Sequence, residues 1–137
     1  RALKYVDHFN SPWLKIYPDL GNLSQWSKNP AEELEEGIEH IVAVHVKDTK
    51  PGVFKGVPFG EGTVNFVELF SKLNALNYNG SFLIEMWADN SKNLSFNESV
   101  EKIKRNKIWV EDKMKKAGIY NAEEVKNRSS RSKSGVI

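Results

Sequence analysis

The sequence predicts an α/β fold in which three parallel strands alternate with helices. One observation is a nearly continuous apolar run in residues 41–47, which is typical of a parallel strand covered on both faces. Another is the regular succession of strand-like and helix-like segments joined by short turns. A third is that an acid or a histidine stands at or near the end of each predicted strand. This pattern fits either a segment of an α/β barrel or a doubly wound sheet.

The predicted strands are bounded by turn signals and occupy residues 13–18, 41–47 and 81–87. Residues 19–22, with the sequence DLGN, predict a turn after the first strand. Side chains alternate along a strand, so His45 and Lys47 share one face of the second. A long loop rich in Pro and Gly follows in residues 48–62, and a loop of this length favours a functional role.

Helices are predicted from capping residues and apolar spacing. Residues 1–10 read as the second half of a helix, and Asn29 caps a second helix that ends near Gly37. Apolar residues at helical spacing predict a third helix in residues 66–76. Ser95 and Glu98 form a capping box for the last helix, which ends near residue 117. Residues 121–137 lack apolar periodicity and predict a disordered or tag-like tail.

Size and composition exclude several classes of protein. The 137 residues suffice for one small domain, and the formal net charge of +2 is too small to indicate a nucleic-acid partner. No apolar run approaches the ~20 residues that a membrane span needs, so no membrane partner is expected. The absence of cysteine excludes disulfides and fits a cytoplasmic location.

The residues that carry chemistry stand at the three strand ends. Asp19, His45 and Glu85 each follow an apolar run. In an α/β barrel the loops after the strands form the active face, so these side chains are expected to converge. Two carboxylates and an imidazole suit one divalent ion such as Zn²⁺ or Mn²⁺. Taken singly, Asp19 is also read as a turn residue and His45 as a hydrogen-bonded structural histidine. Glu85 follows FLI, and a carboxylate there needs a partner.

Three neighbours are candidate substrate-binding residues. Lys47 lies on the same face as His45 and meets either a substrate oxygen or phosphate or an acidic side chain. Asn22 either reaches the substrate or caps the segment that follows Asp19. Trp87 stands two residues after Glu85 and either contacts the ligand or packs within the protein, as the other tryptophans are expected to do.

Several segments resemble a known family. SPWLKIYPDLGNLSQW, GIEHIVAVHVKDTKPGVFKGVPFGEGTVNF and FLIEMW are similar to the L-ribulose-5-phosphate (L-xylulose-5-phosphate) 3-epimerases of L-ascorbate catabolism. These enzymes belong to the xylose-isomerase-like TIM barrels, and older naming calls such proteins hexulose-6-phosphate isomerases. The resemblance implies that residues 1–120 form the C-terminal half of a (β/α)8 TIM barrel, with the sixth to eighth strands.

The resemblance also implies a mechanism and a ligand set. The family binds one divalent metal through two glutamates, an aspartate and a histidine, and Asp19, His45 and Glu85 match three of them. The fourth, a glutamate at the end of the fifth strand, has no counterpart here, so this chain is expected to be an inactive fragment alone. The implied reaction is C3 epimerisation of a phosphorylated ketopentose through an enediolate, with Glu85 as one catalytic acid or base.

Other functions remain as alternatives to this epimerase. An aldose–ketose isomerase passes through the same enediolate, and these residues do not separate the two. An endonuclease-IV-like repair enzyme needs more strand-end His and acidic ligands. A non-catalytic binding or assembly fragment should retain no stoichiometric metal. Three strands without the opposite barrel wall leave apolar side chains and strand edges uncovered, so a homodimer is expected.

Overall fold

The computed structural model describes residues 2–87 and 93–119. The predicted tail at residues 121–137 lies outside the described residues. The described part contains five α-helices, one 3₁₀ turn and two strands. In chain order they are α1 Ala2–Phe9, α2 Leu20–Trp26, α3 Pro30–Gly37, the 3₁₀ turn Ile38–His40, β1 Ala43–Val46, α4 Phe66–Ala75, β2 Ser81–Ile84 and α5 Phe96–Lys116.

Two of the three predicted strands form a parallel sheet. β1 pairs with β2 from Ala43↔Ser81 to Val46↔Ile84. The first predicted strand, residues 13–18, was wrong as a regular strand, because this segment makes only two isolated parallel bridges to the β1 region, Ile16↔Ile41 and Asp19↔His45. One reason is Pro18, which has no N–H to donate to a ladder. The segment still lies beside β1, since the Pro18 carbonyl accepts a hydrogen bond of 2.8 Å from the His45 N–H.

Two local predictions around the early helices were also wrong. Residues 19–22 were predicted as a turn, but they begin α2, and the Asp19 side chain caps that helix by accepting from the Asn22 N–H. Asn29 precedes α3 but makes no side-chain capping hydrogen bond. The later helices agree with expectation, because α4 lies within 66–76 and the Ser95–Glu98 capping box starts α5.

The core lies between the sheet and the helices α4 and α5. Val44 and Val46 of β1 are fully buried, as are Phe70 and Leu73 of α4. The Phe70 ring meets the Phe82 ring of β2 edge to face, with centroids 5.6 Å apart. Full burial of one such side chain stabilises a fold by ~1.5–3 kcal/mol. We call the sheet face that carries Val44, Val46 and Phe82 the covered face.

The other side of the sheet is open, and we call it the open face. It carries Ala43 and His45 of β1 and Leu83 of β2, and Leu83 is 53% exposed. Further exposed apolar side chains include Tyr17, Val42 and Trp13. The homodimer expected to cover such a surface stays a prediction. No helix in residues 2–87 and 93–119 has the length and apolar character to cross a membrane.

Candidate metal centre

The structure brings Asp19, His45 and Glu85 together at one edge of the sheet. His45 Nδ1 lies 3.2 Å from Glu85 Oε2 and 3.9 Å from Asp19 Oδ2. One ligand atom from each residue lies within 4.8 Å of the other two. Within residues 2–87 and 93–119, this is the group of three His or acidic side chains that is close enough to share a metal ion.

Parallel register explains why these three residues meet. Asp19 forms a bridge with His45, and the Glu85 N–H donates to the Val46 carbonyl at 3.0 Å. All three therefore leave the sheet at the carboxyl ends of neighbouring parallel segments. The α2 cap then orients Asp19, because its Oδ1 accepts the Asn22 N–H at 2.7 Å. Its second oxygen, Oδ2, is left facing the other side chains of the cluster.

Lys47 supplies positive charge to this cluster. Its side chain is buried, and Nζ lies 3.0 Å from Asp19 Oδ2 and 3.2 Å from Glu85 Oε1. Burial alone lowers the pKa of Lys47, but pairing with Asp19 and Glu85 outweighs it and raises the pKa above its ordinary value. Lys47 is therefore an ammonium at neutral pH. The sequence allows Lys47 either to contact the substrate or to pair with an acidic side chain. The structure has the ion pairs with acidic side chains.

The Glu85 carboxylate is held in its charged form. Burial raises its pKa, but hydrogen bonds from Trp87 and Lys47, with the charges of Lys47 and His45, lower it further than burial raises it. The Trp87 indole N–H donates to Glu85 Oε1 at 2.8 Å. Glu85 is therefore a fixed, charged acceptor at neutral pH, with Oε2 directed to His45.

The candidate substrate-binding residues differ in position. Trp87 lies beside Glu85, and the ammonium of Lys55 stands 4.4 Å from the centroid of its ring. Asn22 lies in the first turn of α2, where its backbone N–H donates a hydrogen bond to the capping side chain of Asp19. The Tyr17 ring packs against the His45 imidazole with centroids 4.2 Å apart. Substrate contacts by Lys47, Asn22 and Trp87 stay predictions.

Sequence reasoning missed the role of Asp48. This carboxylate is buried and accepts hydrogen bonds from the backbone N–H groups of Thr49, Gly60 and Gly62, at 2.9, 2.8 and 3.0 Å. A Cβ on Gly62 would lie only 1.9 Å from the Asp48 carboxylate, so glycine is required there. Asp48 thus closes the base of the 48–62 loop. The signal that could have found it is an acid directly before a long loop that returns to a glycine pair.

The cluster fits a divalent cation. Asp19 Oδ2 is buried, and the Lys47 ammonium lies 3.0 Å from it. Buried charges in proteins are paired or coordinate metals, so a metal ion can take the part that the Lys47 ammonium takes here. With His45 and Glu85, Asp19 offers the nitrogen and oxygen donors that Zn²⁺ and Mn²⁺ take in proteins.

Comparison with known proteins identifies relatives of this chain. The family model described as "Xylose isomerase-like TIM barrel" matches residues 1–111. The L-ribulose-5-phosphate 3-epimerases UlaE of Escherichia coli O1:K1 / APEC and of Escherichia coli strain K12 / DH10B are each 48% identical over 122 residues, which is 89% of this chain. This chain spans 41% of the length of these curated relatives.

Two solved structures share the fold. An L-ribulose 3-epimerase superposes with a TM-score of 0.67 at 14% identity, over 97% of this chain and 44% of the other. The 3-keto-D-glucoside 4-epimerase YcjR of E. coli, in apo form, gives a TM-score of 0.61 at 22% identity, over 80% of this chain and 37% of the other. At these identities the likeness concerns the fold alone, and both matches agree with part of a barrel.

Proposed function

Since the chain belongs to the xylose isomerase-like TIM barrel family, we propose that it contributes the metal-binding edge of a sugar-phosphate 3-epimerase. The observation that supports this most directly is the meeting of Asp19, His45 and Glu85 at the carboxyl ends of parallel segments. The relatives that are named L-ribulose-5-phosphate 3-epimerases suggest the substrate class, a ketopentose phosphate such as L-ribulose 5-phosphate.

Epimerisation at C3 of a ketose requires that the C3 proton leave and return on the opposite face. The C3–H bond breaks toward a base, and its electron pair delocalises into the neighbouring C2 carbonyl as an enediolate. Asp19, His45 and Glu85 would hold a divalent ion, and when bound it would stabilise the negative charge that develops on the sugar oxygens. Asp and Glu oxygens with a His nitrogen favour Zn²⁺ or Mn²⁺ for this position.

Glu85 is the proton-transfer group that this chain provides. It is a carboxylate at neutral pH, and contacts from Trp87 and Lys47 fix one of its oxygens. A fixed acceptor loses little freedom when the substrate arrives, which favours proton transfer in a defined direction. Inversion needs a second group on the other face of C3. We assign it to the fifth-strand glutamate that the family resemblance implies in the complete barrel.

The setting of the protein is also part of the proposal. A cysteine-free sequence agrees with a reducing, cytoplasmic location. The exposed apolar side chains of the open face, including Leu83 and Tyr17, favour contact with further protein. In the complete barrel that protein is the opposite wall, and for this chain by itself it is a second copy.

Glu85→Gln in the complete barrel tests the proposal. The amide can neither accept the C3 proton nor carry it, so exchange of the C3 hydrogen of L-ribulose 5-phosphate with deuterated solvent should fall by at least ~10²-fold. Proton NMR of the sugar measures this exchange. Glu61→Gln, which changes an exposed loop carboxylate, is the control and should exchange at the wild-type rate. Wild-type exchange in the Glu85 variant would remove Glu85 from the reaction.

Product analysis in the same experiment separates the epimerase from the aldose–ketose isomerase. The epimerase converts L-ribulose 5-phosphate to L-xylulose 5-phosphate and leaves the carbonyl at C2. The isomerase moves the carbonyl to C1 and gives an aldose phosphate. Carbon NMR of the product therefore decides between the two functions.

A further inference from the structure

One cation of the chain itself lies between two of the candidate metal ligands. Lys47 Nζ is 3.0 Å from Asp19 Oδ2 and 3.2 Å from Glu85 Oε1, so a single ammonium contacts both carboxylates. We propose that Lys47 is a resident counter-ion of the metal centre, which competes with the divalent ion for Asp19 and Glu85 and thereby weakens metal binding to this chain. The inference rests on the metal site of the proposed function.

Charge balance is the first reason for this assignment. The Lys47 side chain is 8% exposed and the Asp19 side chain 11%, so both charges are largely withdrawn from water. A buried charge is costly unless another charge or a metal ion compensates it. The two carboxylates that this chain supplies balance one divalent ion completely. With the ammonium still between them, the same cluster would carry an excess positive charge, so the two cations oppose each other.

The two carboxylates are also oriented by groups other than Lys47. The Asn22 N–H donates to Asp19 Oδ1 at 2.7 Å. The Trp87 indole N–H donates to Glu85 Oε1 at 2.8 Å. Both contacts leave the second oxygen of each carboxylate to the cluster. Lys47 therefore adds charge to a cluster whose geometry has other supports.

The Lys47 ammonium has a place to which it can move. Its side chain lines a cleft together with Gly56, Val57 and Trp87. A lysine carries its charge at the end of a flexible stem. Rotation about the bonds of that stem can therefore carry Nζ from between the carboxylates into the cleft, while the backbone of residue 47 stays in place.

Two consequences of opposite sign follow for the protein. Without added metal, Lys47 stabilises the fold, because it compensates the charges of two carboxylates that are largely withdrawn from water. When a metal ion binds, the same contacts must first be broken, so Lys47 lowers the affinity for metal. A lysine that only positioned the ligands would instead support both the fold and metal binding.

Lys47→Met in the 137-residue chain tests the inference, because it removes the charge and keeps an unbranched side chain. Isothermal titration calorimetry with Zn²⁺ should give an affinity at least about tenfold above wild type, as expected when a like charge leaves the binding site. Urea denaturation in EDTA should give a lower midpoint than wild type, because two carboxylates lose their cation. Unchanged or weaker Zn²⁺ binding, or an unchanged midpoint, would overturn the inference.

Two further variants make the result specific to the charge of Lys47. Lys72 pairs with Glu35 at 2.8 Å between α3 and α4, away from the candidate ligands. Lys72→Met should therefore bind Zn²⁺ as wild type does, and it should lower the midpoint less, since Glu35 is 55% exposed. Lys47→Arg keeps the charge, so its Zn²⁺ affinity should not exceed that of wild type. Tighter binding in Lys47→Arg would contradict a competition between charges.

Crystals of the wild-type chain soaked in Zn²⁺ keep the inference testable if Lys47→Met does not fold. We expect Lys47 Nζ to leave the ion-pair distance of Asp19 Oδ2 when Zn²⁺ is bound. Zn²⁺ bound by Asp19, His45 and Glu85 with Nζ still between the carboxylates would overturn the inference and leave the metal centre standing. No Zn²⁺ at these residues in either wild type or Lys47→Met would overturn both.

Discussion

The covered and open faces of the sheet differ in what they contribute to the protein. On the covered face, Val44 and Val46 are fully buried against the helices, and Phe82 meets Phe70. On the open face, Leu83 is 53% exposed and His45 extends toward two carboxylates. The same two strands thus carry buried apolar side chains on one face and lead into the candidate metal ligands on the other.

This difference explains how the protein can bury polar side chains at the end of β1, although their burial costs free energy of hydration. Lys47, Asp48 and Thr49 are buried polar residues directly after β1, and each needs partners to offset lost hydration. Lys47 finds two carboxylates, whereas Asp48 finds three backbone N–H groups. The apolar packing of the covered face keeps β1 in place while its C-terminal end carries these groups.

A matched pair of leucines compares the core that packs on the covered face with the open face. Leu73 is fully buried in α4, while Leu83 is half-exposed in β2. Leu73→Ala should lower the free energy of unfolding by ~2–5 kcal/mol, because it leaves a cavity. Leu83→Ala should change it by no more than ~0.5 kcal/mol in the monomer. Urea denaturation followed by circular dichroism gives both values, and equal losses would contradict the assignment of the two faces.

Loss of the hydrogen bonds that Asp48 accepts from the 48–62 loop should have a smaller effect on stability. Asp48→Ala leaves the backbone N–H groups of Gly60 and Gly62 without their acceptor and should cost ~2–3 kcal/mol, as expected for hydrogen bonds to a charged group. Amide hydrogen exchange should accelerate at those two glycines. Asp112→Ala, at an exposed aspartate of α5, serves as the control with little loss. Unchanged protection at the glycines in Asp48→Ala would show that the loop is held by other contacts.

Alkaline pH should lower the stability of the fold through Tyr78, which packs on Phe82 at the edge of the covered face. Burial, and then the charge of Tyr17, raise the pKa of Tyr78 to about 12 from 10.0. Between these values the unfolded chain has lost the phenol proton while the folded chain keeps it, so stability falls as pH rises through this window. The loss attributable to Tyr78 should be ~1–2 kcal/mol, allowing for partial exposure.

Tyr78→Phe isolates this contribution. The variant loses the hydrogen bond of 3.0 Å from the Tyr78 hydroxyl to the Ser81 carbonyl, but it has no phenol to titrate. Its stability should therefore decline less than that of wild type between pH 10 and pH 12. Parallel declines in the two proteins, measured by urea denaturation, would place the titrating group elsewhere.

The fold could be predicted from the sequence where the signal is local and periodic. The apolar spacing of α4 and the capping box of α5 are set by residues within a few positions of one another, and both helices form as expected. The α2 helix was missed because Gly21 and Asn22 favour a turn by themselves. It forms because Asp19 caps it and because Leu20 is fully buried in the core.

The sequence predicted which residues at the strand ends form the candidate site, but it did not predict the hydrogen bonds and ion pairs around them. An acid or imidazole after each apolar run is visible in the sequence, and parallel register then brings Asp19, His45 and Glu85 together. The partners of Lys47 and Asp48 could not be found in this way. Both depend on contacts between residues far apart in the chain, and a sequence pattern gives no distance across a loop such as 48–62.

Metal binding by this chain is the most direct test of the central claim that the open face ends in a divalent-metal site. Crystals soaked in Mn²⁺ or Zn²⁺ and measured at the absorption edge of the metal should show one ion with ligand distances of ~2.0–2.2 Å. The account predicts that Asp19, His45 and Glu85 all coordinate this ion and that His45→Gln crystals bind it more weakly. An ion bound instead by the exposed glutamates of α3, or no ordered ion at these three residues, would contradict it.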